Sequence, residues 1–370
     1  MQSALIGVGQ AGGKLVSALQ AFDADENHGS VRHAVAINTA SADLRPLPNT
    51  VQTLLVGQSR VSGHGVGGDN ELGAQVMRED REEVLDTVTI DSATEAVFVV
   101  AGLGGGTGSG GAPVLVQELK RVYDVPVYAI GVLPGRDEGA MYQVNAGRSL
   151  KTLAREADSV LLVDNDSFRR AGDSLGSGYE RINEAIARRL GLLLAAGEVD
   201  TGSDVAESVV DASELINTLR NGTLATIGYA DASVARDAAE NVNVVTSTTR
   251  RALLTGTAIE ADSADAALVV VAGRPEAIPR KGVERARRWV EEETGCMQVR
   301  GGDFPVASEK LASLVLLSGI ERTARVESFF ERAREAASGS ESESDASGSG
   351  SEPRESAADQ WAVDELDDLT

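Results

Sequence analysis

Residues 102–111 read G-L-G-G-G-T-G-S-G-G, and few folds accommodate such a run in mid-chain. Ala96 to Val100 (AVFVV) precede it as a strand-like segment, and Ala112-Pro113 lead into a helix-like segment, Val114 to Tyr123. Six of the nine residues from Gly102 to Gly110 are glycine; the others are Leu103, Thr107 and Ser109. A loop with so little side chain can turn many backbone N–H groups toward one point. Set between the end of a strand and the start of a helix, it suits a cluster of phosphates. Pro113 fits an early helical position, where its missing N–H would have had no partner. A flexible linker is the competing reading, and the flanking buried strand and amphipathic helix argue against it.

The same alternation recurs along the first half. Ala4 to Val8 is a short apolar strand, followed by G-V-G-Q-A-G-G-K from Gly7 to Lys14 and a helix to about Phe22. Gly7, Gly9 and Gly12 match the spacing of a dinucleotide-binding fingerprint, which raises a Rossmann oxidoreductase. That fingerprint calls for an acid at the end of the second strand, yet His33 to Ile37 ends in Asn38-Thr39. A P-loop fails as well, because Gly13-Lys14 is followed by Leu15 rather than a hydroxyl residue. A third strand, Val51 to Leu55, leads into a second glycine-rich loop, Gly57 to Asn70, where Asp69-Asn70 can cap a helix running to about Asp86. After the strand that carries the long glycine run come a fifth strand, Val125 to Val132, and Leu133 to Gly139 (LPGRDEG). A helix to Ala157 and a sixth strand, Ser159 to Val163, follow, ending in Asp164-Asn165-Asp166. Six strands alternating with helices predict an α/β fold, a parallel sheet with helices on both faces. In such sheets ligands bind beyond the carboxyl ends of the strands, the edge where all these loops lie.

A long helix over Tyr179 to Glu198 follows, with Ile182, Ile186, Leu190, Leu193 and Gly197 on one face. Beyond it lie Asp211-Ala212-Ser213-Glu214, a helix to about Asn221 and a strand, Leu224 to Tyr229. A helix around Thr248 to Leu254, a strand at Ala267 to Val271, a charged helix at Val283 to Glu293 and a last strand at Ala312 to Leu317 complete this part. It reads as α+β packing rather than a further winding of the first sheet. The division is therefore a binding domain over 1–178, a connecting helix over 179–200, an α+β domain over 201–335 and an acidic tail over 336–370. That tail is Ser-, Gly-, Glu- and Asp-rich and is expected to be disordered. Trp361, Val363, Leu366 and Leu369 interrupt it as a candidate docking peptide for a partner protein.

The formal net charge of −23 argues against nucleic acid and anionic membranes as partners. Only 5 of the 34 basic residues are lysine (14, 120, 151, 281, 310), and abundant acid with little lysine fits adaptation to high salt or GC-rich coding. Cys296 is the only cysteine, and His28, His33 and His64 have no metal-ligand spacing. No apolar run is long enough to span a membrane, so the expected location is cytoplasmic.

Taken together, G-G-G-T-G-S-G at Gly104 to Gly110, G-V-G-Q-A-G-G at Gly7 to Gly13 and the long helix resemble the tubulin/FtsZ superfamily of GTP-dependent filament proteins. G-Q-A-G-G-K (Gly9 to Lys14), I-N-T-A (Ile37 to Ala40), I-N-E-A (Ile182 to Ala185) and D-A-S-E-L-I-N-T-L-R (Asp211 to Arg220) are most similar to its CetZ group of archaeal tubulin-like proteins. The resemblance covers roughly residues 1–330. It implies that Gln10, Ala11, Gly12, Gly13 and Lys14 hold GTP or GDP phosphates, together with Gly105, Gly106, Thr107, Gly108, Ser109 and Gly110. It further assigns Glu138 to the ribose and Asn165 with Asn183 to the guanine edge, with Mg²⁺ accompanying the triphosphate. Read without it, Asn165 is a strand-end turn residue and Asn183 a first-turn helix residue.

Asp211 and Glu214 are the candidate catalytic acids, able to orient and partly deprotonate a water. Their i, i+3 spacing puts both on one face of a helix start, where an N-cap and a first-turn acid would also stand. A helix of ~30 Å separates them from the nucleotide. The family resolves this by head-to-tail stacking, each subunit completing its neighbour's site. Three residues depart from FtsZ: Tyr142 in place of an arginine, Val209 in place of an asparagine, and Glu214 in place of an aspartate. The FtsZ docking peptide is not recognisable in Ala357 to Thr370. The implied function is a weak, assembly-dependent GTPase that forms filaments with itself and acts in cell shape. A division-ring protein of FtsZ type and a non-polymerising GTP-binding regulator are the alternatives.

Overall fold

The computed structural model describes residues 1–168, 175–197, 210–220, 223–235, 237–257, 264–320 and 324–345. The first half alternates as expected: β1 (Ser3–Val8), α1 (Gly9–Asp25), β2 (Val31–Asn38), α2 (Ser41–Leu44), β3 (Gln52–Leu55), α3 (Gln58–Val61), α4 (Asn70–Glu79) and α5 (Arg81–Thr87). It continues through β4 (Ala96–Gly102), α6 (Gly106–Val122), β5 (Val127–Leu133), α7 (Ala140–Glu156) and β6 (Ser159–Asp164). The second half holds α8 (Leu175–Ala196), α9 (Ala212–Leu219), β7 (Leu224–Ser233), α10 (Asn241–Leu253), β8 (Ala266–Gly273), α11 (Arg280–Thr294), β9 (Gln298–Pro305), β10 (Lys310–Ser318) and α12 (Ala324–Asp345).

Strand alternation builds the two layers. Ile6, Val8, Val97 and Val99 face one apolar cluster with α4, α6 and α7. Leu5, Phe98 and Val100 face the other, with Leu15 and Leu19 of α1 and Ile186, Leu190 and Leu193 of α8. α1 and α8 approach so closely that a Cβ at Gly191 would overlap the Phe22 ring. α8 has 22 residues. At 1.5 Å per residue it is about 33 Å long and runs under the sheet from one edge of the molecule to the other.

Several elements differ from the sequence reading. The long glycine run is scarcely a loop: β4 takes Gly102, α6 starts at Gly106, and only residues 103–105 connect them. Pro113 consequently lies in the eighth position of α6, inside the helix rather than at its start. The helix expected from Asp69 to Asp86 breaks at Asp80, whose carboxylate accepts a 2.6 Å hydrogen bond from the Gly57 amide, and forms α4 and α5. β9 was unexpected.

The second unit is not detached from the first. One ten-stranded sheet runs β3-β2-β1-β4-β5-β6-β7-β10-β8-β9. Its first six strands are parallel, and β7, β10 and β8 are antiparallel neighbours, as α+β packing requires. The join is narrow: β6 and β7 share only the pairs Val160↔Leu224 and Leu161↔Ala225. Past Ala336, where the composition turns to Ser and Glu, α12 remains helical as far as Asp345. Its buried Phe329, Phe330 and Ala333 pack the C-terminal half back onto α7, with Ala333 facing Gly147. Glu198, Val209, Trp361, Val363, Leu366 and Leu369 lie outside the described residues. Among the described residues no helix is long and apolar enough to cross a membrane.

Candidate functional site

At the carboxyl ends of β1, β2, β4, β5 and β6 the chain leaves a cavity of about 530 Å³. Two helix N-termini form its floor. α1 begins directly after β1, and Gly9 takes φ of 75°, a left-handed conformation that only glycine adopts without strain. α6 begins at Gly106 behind an extended Gly105. Neither start has a side-chain cap or an acid in its first turn. The first N–H groups of an α-helix have no partner within it, so both starts offer donors and positive dipole ends to the cavity. Lys14 adds the only Lys or Arg of the lining, with no carboxylate at ion-pair distance among the described residues.

Side chains and a third loop fix the glycine-rich half. Asp43 accepts from Gln10 Nε2 (2.9 Å) and Asn38 Nδ2 (3.2 Å), while Asn38 Oδ1 accepts from the Thr39 and Ala40 amides. The Thr39 and Thr107 hydroxyls share a buried 2.7 Å hydrogen bond between β2 and α6. His64 to Gly68 form the opposite wall. The His64 Nδ1 lies 3.1 Å from the Val61 carbonyl oxygen. Buried Asn145 of α7 donates to Gly68 O (2.8 Å) and Gly104 O (3.0 Å), tying two glycine loops to one amide. The other half is different in kind: Asn165 follows β6, Asn183 and Tyr179 lie one turn apart on α8, and Tyr142, Pro134 and Val132 close the slot. Glu138 stands at this end and accepts from the Gly135 amide (2.8 Å).

Of the residues marked in the sequence, Gln10, Ala11, Lys14, Gly105, Gly106, Thr107, Gly108, Glu138, Asn165 and Asn183 line this one cavity. Gly12, Gly13, Ser109 and Gly110 are buried behind it. A Cβ at Gly12 would overlap the Val100 carbonyl, and one at Gly110 the Asn70 carbonyl, so these glycines let helices α1 and α6 reach strand and neighbouring helix. The Ser109 hydroxyl donates back to Gly105 O. Sequence reasoning missed Asp43, His64, Asn145 and Tyr179; an acid six residues after the start of I-N-T was the one visible signal, for Asp43.

Asp43 is the single acid in the glycine-rich half, and no group of three His, Cys, Asp or Glu side chains gathers among the described residues. That donor set is too small to hold a divalent cation by protein side chains alone, and both Asp43 oxygens already accept from Gln10 and Asn38.

Asp211 and Glu214 are not in the cavity. α8 carries the chain away from it, and from Tyr179 to Ala196 the helix rises about 26 Å. α9 then starts with Asp211 as N-cap, its Oδ1 accepting from the Glu214 amide at 2.8 Å. Burial first, and the Asp211 charge second, push the half-buried Glu214 carboxyl above its ordinary range; the Asp211 amide, Arg287 and Arg300 oppose them.

Two family models match the chain. Residues 2–173 fit the GTPase domain of the Tubulin/FtsZ family, and residues 172–335 fit the C-terminal domain of tubulin-like CetZ. The tubulin-like protein CetZ2 of Haloferax volcanii is 64% identical over 100% of both chains. A protofilament of CetZ2 from Haloferax volcanii with GTPγS bound superposes with a TM-score of 0.88 at 65% identity, over 92% of this chain and 100% of that one. A GDP-bound monomer of CetZ1 from the same organism gives 0.83 at 48% identity, over 91% of this chain and 100% of that one.

Proposed function

The chain belongs to the tubulin/FtsZ family, in its CetZ group, and from that membership we propose that it binds GTP in the cavity and hydrolyses it between subunits stacked head to tail. The phosphates lie on the N-termini of α1 and α6, with Lys14 adding charge. Glu138 meets the ribose, and Asn165 and Asn183 read the guanine edge, since an amide both donates and accepts. Magnesium, when bound, neutralises part of the triphosphate's charge. Asp211 and Glu214 of the next subunit orient the attacking water, Glu214 accepting its proton as the bond to the leaving GDP breaks. A heterologous contact of this kind builds an open filament.

The observation that carries this reading is the separation of about 26 Å along α8 between an acid-poor cavity and the acids suited to act on its contents. The CetZ2 protofilament supports the stacking, and membership of the CetZ group supports a cytoplasmic role in cell shape rather than in division. Trp361, Leu366 and Leu369 remain, on sequence alone, the candidate docking peptide of the tail. The deciding experiment measures GTP turnover per subunit against protein concentration, with sedimentation in GTP, GDP and no nucleotide at multimolar KCl. Turnover and pelleting that rise together above a threshold are expected. Turnover independent of concentration would rule the intersubunit mechanism out.

A further inference from the structure

The far end of the molecule is built around more than the two acids. α9 lies on the sheet face formed by Leu268 and Phe304, which join its Leu215 and Leu219 in one buried cluster. Arg300 is the register partner of Leu268 and lies four residues from Phe304 on edge strand β9. Alternation along the strand therefore sets Arg300 on the face that α9 covers. Its Nη2 donates to Gln298 Oε1 at 3.3 Å, whereas its Nη1 is buried and has no hydrogen-bond partner among the described residues. Arg287 comes from α11 on the other face and reaches round the free edge, its Nη2 donating to Val299 O at 2.8 Å. In a chain of net charge −23 both guanidinium groups stand at the β9 edge on which α9 packs, and among the described residues neither is within 4.0 Å of Glu214.

The surroundings of Glu214 leave this pair as the local source of positive charge. Asp211 is on its own helix start. Of the strands packed against α9, β8 (AALVVVAG) has no charged side chain, β9 has Arg300 and Asp303, and β10 has only Lys310, which pairs with Asp231. A half-buried carboxyl beside another acid favours its proton, and a protonated Glu214 can take none from water.

We propose that Arg300 and Arg287 are positioning residues for hydrolysis, holding Glu214 ionised at the face it presents to the next subunit's nucleotide. This rests on the intersubunit reading of Asp211 and Glu214. Burial and Asp211 raise the Glu214 pKa while Arg287 and Arg300 lower it, in keeping with that role. A merely structural part for either arginine, such as fastening the β9 edge, would change stability without moving the pH dependence of turnover.

The test is kcat against pH for the full chain at saturating GTP and magnesium, above the assembly threshold, with pelleting followed at each pH. Arg300→Gln is expected to move the acid limb up by about one pH unit. Arg287→Gln moves it less, and Arg300→Lys stays near the parent. GTP binding by unassembled subunits and pelleting with GTPγS are unchanged. An acid limb that stays in place in both glutamine variants overturns the proposal, as does an Arg300→Lys loss equal to that of Arg300→Gln. Should Arg300→Gln fail to bind GTP, Arg287→Gln decides, because its half-exposed side chain can be removed without opening the sheet. Glu214→Gln separates the two readings. Retained hydrolysis overturns both, whereas lost hydrolysis with an unmoved acid limb in the arginine variants overturns the arginine assignment alone.

Discussion

The starts of α1 and α6 and the start of α9 are the same physical object put to opposite uses. Each is a helix N-terminus with unpaired N–H groups and a positive dipole end. In α1 and α6 no side chain caps the start and no acid stands in the first turn, so backbone amides of a glycine-rich turn face the cavity beside Gln10 and Thr107. In α9 the sequence supplies Asp211 as a cap for the Glu214 amide and Glu214 itself in the first turn, so the end carries negative charge. An uncapped start receives an anion; a capped start holds a carboxylate still. The two kinds sit at opposite ends of α8, and the head-to-tail stacking proposed above would bring one against the other.

The largest expected effect comes from the capped end. Glu214→Gln keeps the side chain's size and removes its charge, and should lower kcat by about 10³-fold while GTP binding and assembly persist. The pH dependence carries the same signature in the parent protein. Because burial and Asp211 raise the Glu214 pKa, the ionised form is reached only above the range of an exposed glutamate, and turnover falls as pH drops through that raised value. The stability linkage has the opposite sense: the folded state binds this proton more tightly, so its contribution is present at low pH and lost as pH rises through the folded value. Calorimetry and turnover across the same pH series should therefore run in opposite directions for this group.

Next in size is the converse exchange. Ala11→Asp gives the exposed first turn of α1 the acid that α9 has, and like charge against phosphate should weaken GTP binding about 100-fold, measured by titration of a fluorescent GTP analogue. Equimolar mixing of the two variants sharpens the comparison, since each lacks what the other retains. Recovered turnover in the mixture is expected only if the two ends work across a contact. Asn145→Ala strips the Gly68 and Gly104 carbonyls of their shared donor. With an unpaired carbonyl worth about 1–3 kcal/mol, a loss of about tenfold in GTP affinity is expected. The smallest effect is the stability term of the cap: apart from the turnover it loses as a water-orienting acid, Asp211→Ala should destabilise by about 1 kcal/mol. Melting would fall by about 2 °C, and Asp211→Asn, which keeps the cap, would restore it.

The strands and helices of the first half were legible because most strands carry a short continuous apolar run bounded by turn residues and the helices have a polar face. The limits of the glycine run were not. Glycine has no side chain to betray whether a residue ends a strand, turns, or starts a helix, and the helix that begins at Gly106 is decided by packing against α4. Pro113 gave a false N-terminal signal for the same reason, the true start being hidden among glycines. β9 escaped because Q-V-R-G-G-D-F-P has no apolar alternation, and its pairing with β8 supplies what local preference lacks. In the cavity, the glycine loops could be marked from spacing, and Gln10, Lys14, Glu138, Asn165 and Asn183 only through family resemblance. Asp43, His64 and Asn145 act through partners remote in sequence or in another loop, and a single sequence does not display such contacts.

Ten strands are hydrogen-bonded edge to edge, yet the sheet is not uniformly stiff. Nine residue pairs join β7 to β10, while two join β6 to β7. The ladder is shortest between β6 and β7, where Thr257 bridges the two strands by accepting from the Asp164 amide and donating to Ile227 O and Leu162 O, and where α12 packs across onto α7. In the filament proposed above, each repeat would contain this narrow join as well as the contact between subunits. The filament's curvature would then be a property of the monomer's waist as much as of the contact between monomers.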